Sequence, residues 1–222
     1  GRIWESVNDG RCSACGAGNG ALVHYPSVTS ILGVWPKWGL AKWYGKLGLD
    51  EAERVMTEAA ELGTRIHQAI NKLVSGERVE ATDVPESAQV AWASFVLWYG
   101  QRAPDLVRSE QMVYSHTLHT AGRLDYLGRL GGVLEVLDFK TGGVYSNAIV
   151  QAAVYAHCAI ERGLGHVQQT RIVQLAKTGT PRFTEYVDPA WATRLAVFQA
   201  AKVVFETDRS LKVEALNVKE RA

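Results

Sequence analysis

Gly131 and Gly132 stand back to back between two apolar runs, GRLDYLGRL and VLEVLDFK. A two-residue hairpin turn that matches strand twist needs positive φ at both central positions, which glycine adopts without steric penalty. The pair therefore predicts a tight reversal, and a tight reversal fixes register. Residue 130 faces 133, 129 faces 134, and the same count carried outward sets Asp125 opposite Asp138. Directly opposed residues share one face of a sheet, with Cβ atoms about 4.5–5.5 Å apart. Aspartate is a poor strand residue and costly to bury, and two opposed like charges weaken a ladder.

Such a pair makes sense around something positive, or with one shared proton. Hard divalent cations such as Mg²⁺ take carboxylate oxygens together with waters. Lys140 lies two residues beyond Asp138 and so shares its face. An acid pair beside an ammonium suits phosphodiester hydrolysis: a metal polarises the phosphoryl oxygen and acidifies a bound water, while the lysine orients that water or stabilises developing charge. The plain alternative is a solvated cross-strand salt bridge, with Lys140 and Arg123, opposite it in this register, neutralising the aspartates.

Around the hairpin the pattern predicts α+β or α/β in one domain over 1–222. An N-terminal stretch, 1–49, holds a strand, the loop NDGRCSACGAGNG, a second strand ALVHYPSVTS and a Trp/Lys-rich lobe. Residues 50–75 read as one long helix with Asp50 as N-cap and Gly76 beyond its end. A second helix follows Pro85 to about Tyr99. Three strands come next: LVRSEQMVYSHTLHT, AGRLDYLGRL and GVLEVLDFKT. Residues 146–162 return to helix, with Ser146 as cap and Gly163 as stop. TRIVQLAKTG and RFTEYVD are two more strands, turned at Gly179 and Pro181, before a last helix from about Pro189 to Thr207.

Other residues stand near the same chemistry. Ala60, Gly63, Thr64 and His67 follow one another at helical spacing, so small residues let that face approach a sheet and bring His67 with it. His67 is either a structural hydrogen-bonder or an added metal ligand. Gln151 and Tyr155 are i, i+4 neighbours on an otherwise apolar helix, bonded to backbone or touching substrate. Glu110, in the strand before Asp125, is a candidate for positioning a metal-bound water or touching substrate, and Thr141, directly after Lys140, is a candidate substrate contact. Trp35, Trp38 and Trp43 alternate with Lys37, Lys42 and Lys46. Rings can stack on unpaired bases while ammonium groups track phosphates. The alternative is a Trp-rich lobe packed on the core with lysines at its rim.

Composition removes whole classes of function. Net charge is +1, with 47% hydrophobic and 21% charged residues, so any nucleic-acid surface must be local rather than a global field. No apolar run reaches a membrane span, and no secretory signal is read. Three cysteines point to a reducing interior. Cys12 and Cys15 lack the second pair a structural zinc site needs, so zinc is not expected there. Three thiolates do not build an iron–sulfur cluster.

GRLD, a hairpin, LDFKTG and then QAAVYA together resemble the PD-(D/E)XK nuclease superfamily, in its RecB-type exonuclease branch. The match comprises Asp125, twelve intervening residues and Asp138-Phe139-Lys140, with Gly63-Thr64-Arg65-Ile66-His67 upstream and Gln151 and Tyr155 downstream. YPSVTSILGV before the Trp/Lys stretch is similar to the opening of phage-encoded exonucleases, and the mitochondrial genome maintenance exonuclease is related to the same group. The resemblance runs from about residue 25 to 160. It implies a restriction-endonuclease-like core, a mixed sheet with a central β-meander flanked by helices. It also implies Mg²⁺ or Mn²⁺ on Asp125, Asp138, the Phe139 carbonyl and His67, with Lys140 assisting the water. The expected activity is a DNA exonuclease acting on single strands or ends and leaving 5′-phosphates, in a cytoplasm, a host's if phage-encoded. A single-strand-annealing or recombination protein is the partner implied. Two other readings are a double-strand end-resecting recombination exonuclease and a catalytically silent DNA- or partner-binding module on the same fold. The four cysteines that hold an iron–sulfur cluster in some RecB-type relatives are not present, so that cluster is not expected.

Overall fold

The computed structural model describes residues 2–3, 23–35 and 38–219. Lys37, Cys12 and Cys15 lie outside the described residues. Two short strands, β1 (Arg2–Ile3) and β2 (Val23–His24), pair with each other. Helices α1 (Val28–Leu32), α2 (Trp38–Leu47), α3 (Leu49–Val74) and α4 (Gln89–Arg102) follow. Strands β3 (Asp105–Ser115), β4 (Thr120–Leu130) and β5 (Val133–Lys140) come before α5 (Ser146–Glu161), β6 (Gln169–Leu175), β7 (Phe183–Asp188) and α6 (Leu195–Lys219). Among the described residues no helix is long and apolar enough to cross a membrane.

The five long strands form one sheet in sequence order, β3-β4-β5-β6-β7. All neighbours are antiparallel except β5 and β6, which run parallel. A parallel pair needs a crossover, and α5 supplies it. On one face Leu134 and Val136 pack with Val28, Ile31, Val154 and Phe198, beneath α1, α5 and α6. On the other, Leu137 and Phe139 pack with Ile66, Phe95 and Trp98, beneath α3 and α4. β5 is therefore buried on both sides, which is why its sequence is nearly continuous apolar residue rather than alternating. The fold is a mixed α/β sandwich with helices on both faces of its sheet, as expected from the order of elements.

Several expected boundaries move for local reasons. ALVHYPSVTS is not one strand: after Pro26 the Ser27 hydroxyl accepts the Ser30 N–H at 3.0 Å and caps α1. Asp50 is not the cap of α3. Gly48 precedes the helix, and Asp50 and Glu51 fill its first turn, where the helix dipole favours acids. Ser146 is the first residue of α5 and makes no capping bond; Tyr145 precedes it. The helix expected from Pro85 opens as a 3-10 turn, Glu86–Ala88. The last helix also follows a 3-10 turn, Trp191–Arg194, and continues well past Thr207.

A charge network crosses the sheet at its hairpin end. Glu135, on β5, is fully buried. Arg171 on β6 donates to it twice, Nε to Oε2 at 2.7 Å and Nη2 to Oε1 at 3.0 Å, and Gln169 adds a bond at 2.5 Å. Arg171 also donates to Glu185 of β7 at 3.0 Å, and Trp98 and Arg102 of α4 donate to that same carboxylate. Every strand from β5 to β7 is thus tied to its neighbour by a charge-assisted bond. Removing one partner leaves a buried charge without compensation. Arg171→Ala is accordingly expected to lower unfolding free energy by about 3–5 kcal/mol in urea titrations; a loss under about 1 kcal/mol, as for a surface pair, would show that Glu135 finds other solvation.

A second packing constraint joins α5 to β4. A Cβ built on Gly122 would lie 2.5 Å from Tyr155 Cε1 and 2.9 Å from its hydroxyl oxygen. The ring is buried, so it cannot swing into solvent. Gly122→Ala should destabilise the protein by about 1–3 kcal/mol through overpacking. Pairing it with Tyr155→Leu should give a loss smaller than the sum of the two single changes; strict additivity in the double-mutant cycle would rule the clash out.

Candidate metal centre

Gly131 and Gly132 take φ of 57° and 86°, and the β4–β5 ladder keeps the register that such a turn dictates, from Leu130↔Val133 to Tyr126↔Leu137. It closes one pair short of Asp125 and Asp138. On the other flank, pairing of β3 with β4 passes from Ser109↔Tyr126 to Gln111↔Leu124. Glu110, with φ of 48°, and Asp125 fall in the gap. Leu124 and Leu127 both join the cluster beneath α5, although residues three apart on a regular strand point to opposite faces. β4 is therefore irregular at Asp125. There the Asp125 carboxylate takes over a main-chain role, its Oδ2 accepting the Phe139 N–H at 3.3 Å.

α3 brings His67 to the same rim. The imidazole Nε2–H donates to the Phe139 carbonyl at 3.0 Å, a tautomer inferred from that partner. Nδ1 is then left as an acceptor, 3.5 Å from Asp125 Oδ2 and 4.0 Å from Glu110 Oε1. One ligand atom from each of His67, Glu110 and Asp125 lies within 4.8 Å of the others. Asp138 is 3% exposed. The Lys140 ammonium lies 2.8 Å from its Oδ1 and 2.7 Å from its Oδ2. The approach to Oδ2 is close enough for an ion pair but not aligned for a hydrogen bond, so that oxygen is buried without a hydrogen-bond donor.

The electrostatics follow from this crowding. Burial pushes the Asp125 carboxyl well above the usual carboxylate range, and Asp138 beside it adds to the rise. Burial works against the charged form of Lys140, yet the two carboxylates outweigh it and the ammonium is held more firmly than usual. Burial lowers the His67 pKa, which favours the neutral ring that can ligate a metal. Two carboxylates and a neutral imidazole, with Asp138 and its oxygen lacking a donor beside Asp125, form a donor set suited to a hard or borderline divalent cation.

The cluster opens into a pocket of about 570 Å³, lined among others by Ala60, Gly63, Thr64, Arg123 and Thr141. The small-residue face of α3 thus forms one wall and lets the helix lie close to the rim. Arg123 does not neutralise the aspartates. The β4–β5 ladder ends before residue 123 can meet 140, and the Arg123 guanidinium pairs with Glu110 instead, 2.8 Å from Nε to Oε2. The Phe139 carbonyl, expected among the ligands, is the acceptor for His67. Gln151 and Tyr155 bond to each other, Nε2–H to the hydroxyl at 3.1 Å. Burial pushes the Tyr155 phenol up to about 12, so it keeps its proton. Lys42 lies on α2, and among the described side chains of that helix the Tyr44 hydroxyl donates to Met56 Sδ of α3 at 2.9 Å. Arg123 is the pocket residue that sequence reasoning had cast in another part. Its position within GRLD, two residues before the acid, was the available signal.

No family model matches the chain, and no curated protein matches it. Among solved structures, its fold is similar to the crystal structure of a protein named "Putative exonuclease" from Eubacterium rectale. The TM-score is 0.54 and the identity 11%, over 82% of this chain and 79% of that one. At that identity the likeness is one of architecture alone, a mixed α/β sheet flanked by helices.

Proposed function

We propose that the chain is a divalent-metal-dependent nuclease. It would act as an exonuclease that hydrolyses DNA phosphodiester bonds, on single strands or at ends, and leaves 5′-phosphates. One observation carries this reading: His67, Glu110 and Asp125 converge in an open pocket, with buried Asp138 and its half-buried partner Lys140 alongside. The order of motifs that resembles RecB-type exonucleases supports it, and so does the name of the Eubacterium rectale protein with the similar fold.

Mg²⁺ or Mn²⁺ would be held by Nδ1 of His67 and the carboxylates of Glu110, Asp125 and Asp138. Bound there, the ion would acidify a water and polarise the scissile phosphoryl group. The protein's own residues do the rest. The Phe139 carbonyl holds the Nε2 proton, so the imidazole turns its lone pair toward the carboxylates. Lys140 is fixed by Asp138 at the pocket wall, where its ammonium can donate to the attacking water and balance charge gathered on the phosphate oxygens. Arg123, exposed at the rim and bound to Glu110, is placed to meet a non-bridging oxygen.

Asp138→Ala and Lys140→Ala are expected to cut cleavage by about 10²-fold or more, with the circular dichroism of the folded chain unchanged. The measurement is a timed digestion of single- and double-stranded oligonucleotides labelled at the 5′ or 3′ end. Mg²⁺ should give progressive shortening from an end, and EDTA should stop it. Degradation at the wild-type rate by either variant, or undiminished in EDTA, would refute the assignment.

A further inference from the structure

Because β5 and β6 run parallel, their C-terminal ends meet at the same rim of the sheet. β5 leads there into Thr141, Gly142 and Gly143, and β6 leads into the turn to β7. Gln174, near the end of β6, joins the two. Its Nε2–H donates to the Gly142 carbonyl at 2.8 Å, and its Oε1 accepts the Tyr186 hydroxyl at 3.2 Å. The base of the β6–β7 turn is equally fixed. Ala176 N–H bonds to the Arg182 carbonyl at 3.0 Å. The Arg182 N–H bonds at 3.1 Å to Oγ of Ser94, a fully buried residue of α4.

Between loop and turn lies a groove of about 360 Å³. Thr141, Gly142 and Gly143 form one wall of it and also line the metal pocket, so the two cavities share that wall. Among the groove's described lining residues the charged ones are Lys177 and Arg182, and none is acidic. Both side chains are exposed, and among the described residues neither is paired with a carboxylate. Arg182 makes one weak bond, Nη1 to the Thr180 carbonyl at 3.4 Å. A chain with a net charge of only +1 must concentrate cations locally to hold a polyanion, and here two stand on a fixed turn beside the proposed cleavage site.

The geometry points to this groove as a second phosphate subsite, in which Lys177 and Arg182 bind backbone phosphates of single-stranded DNA beyond the bond being cut. The assignment rests on the nuclease reading. The strand runs from the metal pocket across Thr141–Gly143 and onto the β6–β7 turn, with the Thr178 and Thr184 hydroxyls as further donors.

The test is binding of a fluorescein-labelled oligothymidylate by anisotropy, in EDTA and over a range of salt, with cleavage in Mg²⁺ scored separately. Each phosphate contact on a single strand adds about 0.7 to the slope of log K against log salt. The double variant K177A/R182A should bind more weakly and lose about 1.4 from that slope, and K177E/R182E should bind more weakly still. Arg129→Ala, beside the Gly131–Gly132 turn at the far end of the sheet, should leave the slope as it is. Unchanged affinity and slope in K177A/R182A, or an equal loss in Arg129→Ala, overturns the subsite while cleavage by the wild type keeps the nuclease reading. Wild-type protein that binds in EDTA but never cuts in Mg²⁺ overturns the nuclease reading and the subsite's role with it.

Discussion

Like charges brought together at the rim of the sheet set the terms for everything else. Asp125 and Glu110 meet at one imidazole with Asp138 beside them, and among the described residues one ammonium and one guanidinium are the permanent counter-charges paired with them. A fold does not gain from such an arrangement. Desolvation and repulsion both raise the free energy of the ionised carboxylates, as the elevated pKa of Asp125 shows. On the proposed reading a divalent cation would make the cluster favourable, so the same feature that weakens the metal-free protein would define its site.

The rest of the structure holds that crowd still. At the hairpin end, Glu135, Arg171 and Glu185 lock β5 to β6 and β6 to β7. At the site end the strands stop pairing regularly, and side chains replace main-chain partners: the Asp125 carboxylate for a ladder acceptor and the His67 ring for a donor to the Phe139 carbonyl. Helix α3 comes near because Ala60, Gly63 and Thr64 present little bulk along the pocket wall. Phe139 itself packs edge-on against Phe95 and Trp98, with ring centroids 5.2 Å apart in both cases. The residue whose main chain serves His67 and Asp125 is thereby anchored in the core beneath α4.

Much of this was legible in the sequence, for stated reasons. The Gly131-Gly132 pair has one cheap conformation, so it fixed the register of β4 on β5 and the nearness of Asp125 and Asp138. The period of small residues pointed His67 toward the sheet. What could not be read depends on main-chain irregularity. Nothing in SEQM announces that Glu110 takes a positive φ, yet that turn brings Glu110 to His67 and takes Arg123 away from the aspartates. The start of α3 was misplaced by two residues, at Asp50 rather than Gly48, and the helix capped by Ser27 was missed because β-branched residues in YPSVTS read as strand. Glu135 was passed over because its partners, Gln169 and Arg171, lie on a strand whose parallel alignment no local pattern encodes.

The most direct measurement is thermal unfolding of the wild type and Asp125→Asn at neutral pH, each with EDTA and with excess Mn²⁺. Asparagine keeps an acceptor for the Phe139 N–H and removes one negative charge. In EDTA the variant should be at least as stable as the wild type. At Mn²⁺ about a hundredfold above its dissociation constant, the wild type should gain about 2.7 kcal/mol, or roughly 5–10 °C, while the variant gains little. A wild-type melting temperature that ignores Mn²⁺, or a variant weakened equally in both solutions, would contradict the account.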